Sequence, residues 1–241
     1  MRTEKQIIKD KILLLYLISL AKKINDIEGN LKLQKLVFLT EWKLMDSDIK
    51  AFHFKFFRYR WGPFSKELLC DYENLKEEKY LKPFFNLTEK AVNFLEYVLE
   101  SIKNLGNNSK IIDKINKICT IYSKYTGIVL TNKVYNMEIE PYDLPNQKMK
   151  IKDIPTFFDI LVPENFEAKN KLEIPDFLLE DIKQEFENTE LTQEEETNLM
   201  EESENRMIEL ILNKTNISEK DKLIQSLIDK GASERLLKKL A

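Results

Sequence analysis

The sequence predicts a mainly α protein: a compact helical domain carrying a short aromatic-rich strand or hairpin, followed by an acidic, helical C-terminal extension. Three observations predict it. Only 5 of the 241 residues are glycine and 7 are proline, while Lys, Glu, Leu and Ile abound, which favours helices. Apolar residues recur at spacings of three and four through most of the chain. One stretch alternates with period two instead, and it places seven aromatic side chains within residues 52–64.

The elements follow in order. Helix one spans about Glu4 to Lys23. Ile7, Ile8, Ile12, Leu15, Ile18 and Leu20 make it apolar on nearly every side, so it is expected at the centre of the domain. Its apolar run, Ile12 to Leu20, is too short to span a bilayer. The mixed-charge start (Arg2, Glu4, Lys5, Lys9, Asp10, Lys11) is unlike a secretory leader. Helix two, about Lys32 to Met45, gathers Leu33, Leu36, Val37 and Leu39 on one face, with Lys32 and Lys35 at its start.

The alternating stretch comes next. Phe52, Phe54 and Phe56 fall on one side of an extended chain, and His53, Lys55 and Phe57 on the other. Arg58 and Arg60 then oppose Tyr59 and Trp61. Gly62-Pro63 is expected to turn the chain, because glycine reaches φ > 0 and proline fixes φ. Ser65 caps a third helix bearing Leu68, Leu69, Tyr72 and Leu75. Asn86 to Thr88 is a short extended piece, and Thr88 caps helix four with its stripe Phe94, Leu95, Val98 and Ile102. A turn at Gly106 to Ser109 leads to helix five, about Lys110 to Tyr122. Helix six, about Ile128 to Tyr135, ends before Pro141-Tyr142. The front half resembles the start of a winged-helix module, although only one strand is evident where a wing needs a hairpin.

Residues 143–182 change character. Pro145, Pro155, Pro163 and Pro175 punctuate an extended connector in which Phe157 to Val162 reads as a strand. A helix then begins near Pro175-Asp176 and carries Phe177, Leu178, Ile182 and Phe186. From Gln184 to Glu204 there are nine acidic residues and no basic one, a solvated stretch. Thr192 and Glu195 fit a capping box. Met200, Met207, Ile208, Ile211 and Leu212 form an amphipathic face. Ser218 caps a helix that Gly231 stops, and Ser233 caps a last one to Leu240. Three regions are thus expected: a helical domain over 5–142, a connector over 143–182 and a tail over 183–241. The front domain is expected to fold without the rest.

Charge separates along the same line. Residues 1–142 hold 24 Lys and Arg against 18 Asp and Glu, net +6; residues 143–241 hold 14 against 23, net −9. A basic front and an acidic back suggest different partners for the halves, or docking of one on the other.

The chemistry is sparse. Five scattered glycines form no phosphate-binding loop. The single histidine, His53, excludes His-based metal clusters, and it reads as structural. No Gly-x-Ser-x-Gly elbow is present. Cys70 and Cys119 lack metal spacing and are expected to be reduced, as in a cytoplasmic protein. The expectation is a binding protein with no cofactor, not an enzyme. The phenylalanines of the aromatic stretch read as core. Arg58, Tyr59, Arg60 and Trp61 fit a recognition surface better, because Arg, Tyr and Trp concentrate at interface hot spots.

Three stretches resemble the Panacea domain of SocA-like antitoxins and phage-associated proteins. One is Lys32-Leu33-Gln34-Lys35-Leu36-Val37-Phe38-Leu39, similar to an early family helix. A second is Phe56 to Leu68, similar to the family's aromatic strand running through Gly-Pro into a helix. The third is Leu130 to Tyr135 with Pro141-Tyr142. The resemblance covers about residues 5–142. It implies a helical, non-enzymatic domain that neutralises a cognate toxin by direct protein contact; Arg58, Tyr59, Arg60, Trp61, Gly62, Pro63 and Phe64 are the residues expected to bind the partner. The long acidic tail departs from many family members. It reads as a toxin-specific part, a homo-oligomerisation device or a segment that folds on binding. The alternative function is a DNA-binding regulator with Lys32, Lys35, Lys55, Arg58, Arg60 and Lys66 as its basic face.

Overall fold

A computed structural model describes residues 2–186, 192–195, 197–202 and 205. Helix α1 (Glu4–Ile24) begins in a capping box, with Thr3 and Gln6 each bonding the other's backbone. It is buried almost all round from Ile8 to Ala21, and it packs against α2 (Asn30–Met45), α3 (Lys66–Glu77), α4 (Glu89–Ile102), α5 (Asn108–Tyr122) and α7 (Asp176–Lys183). The central position that its sequence predicts is the one it takes. Helix α6 (Gly127–Tyr135) lies on α2. Ser65, Thr88 and Thr126 cap α3, α4 and α6 by accepting backbone N–H bonds from Leu68, Ala91 and Val129. The protein is mainly α, with short strands at the periphery.

Those strands are β1 (Ile49–Lys50), β2 (Phe56–Tyr59), β3 (Gly62–Phe64), β4 (Leu81–Lys82), β5 (Asn86–Leu87), β6 (Glu138–Ile139), β7 (Met149–Lys150), β8 (Asp159–Leu161) and β9 (Asn170–Lys171). The largest sheet has the order β3-β2-β8, antiparallel throughout. Tyr59 pairs with Gly62, so the chain reverses at Arg60-Trp61 and Gly62-Pro63 already belongs to the returning strand. This corrects the turn expected at Gly62-Pro63 and supplies the hairpin that the sequence left out. Glycine's φ of +96° lets the returning strand leave the turn, and the edge position tolerates a proline that donates no bond.

The boundary expected at residue 142 is not a boundary. Met1–Thr192 forms one compact unit. Strand β8 completes the hairpin sheet, β9 pairs parallel with β1, and α7 packs on α1. Ile151, Ile154, Ile160, Leu161, Leu172, Ile174, Leu178, Leu179, Ile182 and Phe186 are all buried in the common core. Prolines made this segment read as a linker, but they interrupt secondary structure without preventing burial. Of the apolar residues that the sequence assigns to α7, Leu178 and Ile182 are buried and Phe177 is exposed, while Leu179 is also inside.

A second unit starts at Gln193. Within it residues 193–195 and 197–202 are helical, directly after the expected cap Thr192. The expected helices at Glu219 to Lys230 and Glu234 to Leu240, and the face through Met207, Ile208, Ile211 and Leu212, lie outside the described residues.

One polar cluster ties the N-terminus to this core. Arg2 makes a bidentate pair with Asp71 (2.7 and 3.1 Å) and also donates to Asp10 (2.9 Å). Burial pulls the Arg2 pKa down, but Asp71, Asp10 and Glu67 outweigh it and hold the guanidinium charged. Asp10 also accepts from the backbone N–H of His53 and pairs with its Nδ1, both at 3.0 Å. His53 therefore has an acidic partner, 43 residues away in the chain. Cys70 and Cys119 are free thiols, as expected.

Candidate functional site

The three stretches that carry the family resemblance meet at one place. Gln34 of α2 donates to the Ser65 carbonyl and accepts from the Ser65 N–H, both at 2.9 Å and both buried. Lys35 donates to the Pro63 carbonyl at 2.8 Å. Tyr135, at the end of α6, donates its hydroxyl to the Arg60 carbonyl and lays its ring 5.0 Å from the Arg58 guanidinium. Gly62 sits between them: a Cβ there would lie 3.2 Å from Tyr135 Cε1 and 3.4 Å from Lys35 Cε. The polar residues of the Lys32-to-Leu39 helix thus satisfy the backbone of the Gly-Pro corner.

Period two sorts the hairpin side chains. Phe52, Phe54 and Phe56 are buried, and Arg58 follows them inward in the same phase. Its Nε donates to the Ile151 carbonyl at 3.0 Å, while Nη1 has no hydrogen-bond partner. Burial, together with the Arg58 charge, pushes the Lys35 ammonium well below the usual lysine range. Lys32 is buried as well, its amine given to the Asp26 carbonyl. The six cations expected to face DNA therefore do not share a surface. Lys32, Lys35 and Arg58 are inside, Arg60 is half-buried, and only Lys55 and Lys66 are exposed. Lys55 is paired with Asp159 at 2.5 Å. Lysine and arginine at a helix start read as surface in a sequence. Here the carbonyls that need donors lie inside the corner.

The seven residues expected at a partner divide likewise. Arg58, Gly62, Pro63 and Phe64 are buried, and Tyr59, Arg60 and Trp61 remain accessible at the hairpin end. What the outer face adds is a ring cluster. Phe57 lies 6.0 Å from Tyr59, 5.9 Å from Phe64 and 6.2 Å from Phe157, and Tyr59 lies 5.8 Å from Phe157. Phe157 is 68% exposed. It also has φ of +69°, a backbone conformation that a phenylalanine rarely takes. The bonds Phe157 N–H to Arg58 carbonyl (2.6 Å) and Arg58 N–H to Phe158 carbonyl (2.7 Å) hold it there. Beside it a cavity of about 320 Å³ is lined by Lys55, Phe57, Lys66, Glu67, Phe157 and Asp159.

In the sequence Phe157 reads as the first residue of a strand, whereas the strand begins at Asp159 and Phe157 precedes it. The available signal was Pro155, two residues before it, which marks a turn. Among the described residues no group of His, Cys, Asp and Glu is arranged to hold a metal, and no helix is long and apolar enough to cross a membrane.

No family model, no curated protein and no solved structure matches this chain. The resemblance to the Panacea domain thus rests on the three stretches that converge on Gly62.

Proposed function

We propose that the protein is a non-enzymatic, antitoxin-like module that neutralises a cognate toxin by direct contact, through the outer face of the hairpin sheet. The observation that carries this reading is Phe157. Most large apolar side chains among the described residues are buried; Phe84 and Phe157 are both exposed at positive φ, and of the two it is Phe157 that lies against the rings of Phe57 and Tyr59 on the hairpin. Strain of this kind costs on the order of 1–3 kcal/mol and persists where the surroundings enforce it, commonly at binding sites. Aromatic rings with an adjacent arginine, here Arg60 at 5.7 Å from the Tyr59 ring, suit the desolvated centre of a protein interface. The DNA-binding alternative has less support, because half of its basic face is spent on internal carbonyls and burial.

The test is purification of the tagged full chain from its own host with a high-salt wash. A small protein retained in stoichiometric amount, and lost with Phe157→Gly, is the expected result. Glycine is comfortable at positive φ, so relief of about 1 kcal/mol of strain should offset the lost ring contact and leave the melting temperature nearly unchanged. Retention of nucleic acid alone, released by salt, would replace this reading with the DNA-binding one.

A further inference from the structure

We propose that a second cavity, between the C-terminal end of α2 and strands β6 and β8, binds an alkylated ammonium ion. This inference is independent of the partner-binding face. The cavity measures about 370 Å³, within the range of small-molecule sites. Its walls include three aromatic rings, Trp42, Tyr142 and Phe166, together with Met45. Among the described residues its ionisable lining groups are the Tyr142 phenol and the carboxylates of Asp46 and Glu140, with no lysine or arginine. Aromatic walls stabilise a cation through their ring quadrupoles and also accept its alkyl groups. Two carboxylates set the sign of the ligand and disfavour anions.

The lining is held in place. The Tyr142 hydroxyl accepts from Asn165 Nδ2 at 2.7 Å, and Glu140 Oε1 accepts from the Asn146 N–H at 2.8 Å. Lys50 donates to the Phe166 carbonyl at 3.1 Å. Trp42 already takes a cation, the Lys43 amine 4.5 Å from its ring centre, and Lys43 is not among the lining residues. A ligand cation therefore shares this ring with the Lys43 amine, whose charge opposes it, and the carboxylates of Asp46 and Glu140 offset that charge.

The experiment is an NMR titration of the full chain, following the indole N–H resonance that Trp42→Phe removes. Choline and tetramethylammonium are the probes, and 3,3-dimethylbutan-1-ol is the uncharged isostere of choline. Saturable movement of the Trp42 resonance with either cation is expected, with the alcohol at least about tenfold weaker. Asp46 and Glu140 are exposed, so Asp46→Asn and Glu140→Gln should leave thermal stability intact. Each should weaken the cation severalfold without affecting the alcohol. A short trimethyllysine peptide, run in parallel, distinguishes sources. Tighter binding than choline assigns the site to a modified side chain, weaker binding to a free ligand, and both support the ammonium site. Equal response to choline and the alcohol, or no saturable movement with either cation, would overturn it.

Discussion

Gly62 is the residue on which the hairpin corner depends. Its φ of +96° and the nearby Tyr135 and Lys35 side chains leave no comfortable position for a Cβ. Gly62→Ala is expected to cost about 1–3 kcal/mol, read as a lower denaturant midpoint at unchanged slope. An unchanged midpoint would mean that the corner relaxes freely. Glu41 poses the opposite problem. It is buried, and neither carboxylate oxygen has a hydrogen-bond partner. Burial, reinforced by Asp10 and Glu67, raises its pKa well above the usual carboxylate range. Burial likewise pushes Asp71 up to about 6, against the pull of Arg2. Both groups hold their protons more tightly when folded than when unfolded. Their joint effect is a loss of stability as pH rises from about 4, where the unfolded carboxylates ionise, towards 6 and above. Glu41→Met removes one such group without breaking a bond. It should stabilise the protein by about 1–3 kcal/mol at pH 7 and by less at pH 4, measured by thermal unfolding at both. A larger gain at pH 4 would reverse the sign of this argument.

At the level of elements, α2 and the hairpin act as one piece. Gln34 closes both polar groups of the Ser65 backbone, and Ser65 in turn caps α3. Gln34→Leu would orphan the buried Ser65 N–H and leave the Ser65 carbonyl with only the Leu69 N–H at 3.4 Å, at a cost of roughly 1–3 kcal/mol. Native-state hydrogen exchange should show faster exchange at Ser65 and through the first turn of α3, with α5 little affected. Uniform acceleration across all helices would instead indicate global destabilisation without a local corner. The same coupling brings the Lys32-to-Leu39 and Phe56-to-Leu68 stretches into direct contact. The alternation of β2, plain in the sequence, puts Phe56 and Arg58 on one side and Phe57 and Tyr59 on the other. The placement of Arg58 inside was therefore present in its phase, although its charge argued for the surface.

For the whole molecule, residues 143–186 are core, not linker. They add ten buried apolar side chains and the third strand of the main sheet. At about 1.5–3 kcal/mol for each fully buried side chain, their loss exceeds the 5–15 kcal/mol by which a domain is stable. A chain ending at Tyr142 is expected to lose cooperative unfolding, whereas one ending at Thr192 should keep it, followed by circular dichroism on heating. A cooperative transition in the shorter chain would restore the boundary at 142.

Local physics determined much of this protein in advance. Cap residues, helical periodicity and the period-two stretch specify the seven helices of the first unit to within a few residues, because those signals depend on neighbours in the chain. Tertiary structure decided which polar groups go inside and which aromatics stay out. Lys35 and Arg58 are internal because carbonyls and a ring from distant elements meet them there, whereas Lys32 bonds a carbonyl only six residues away, at Asp26. His53 finds Asp10 only once α1 lies beside the extended chain, and Phe157 becomes a surface feature only when β8 pairs with β2. Partners brought together by folding set burial and pairing, and no spacing along the chain encodes them.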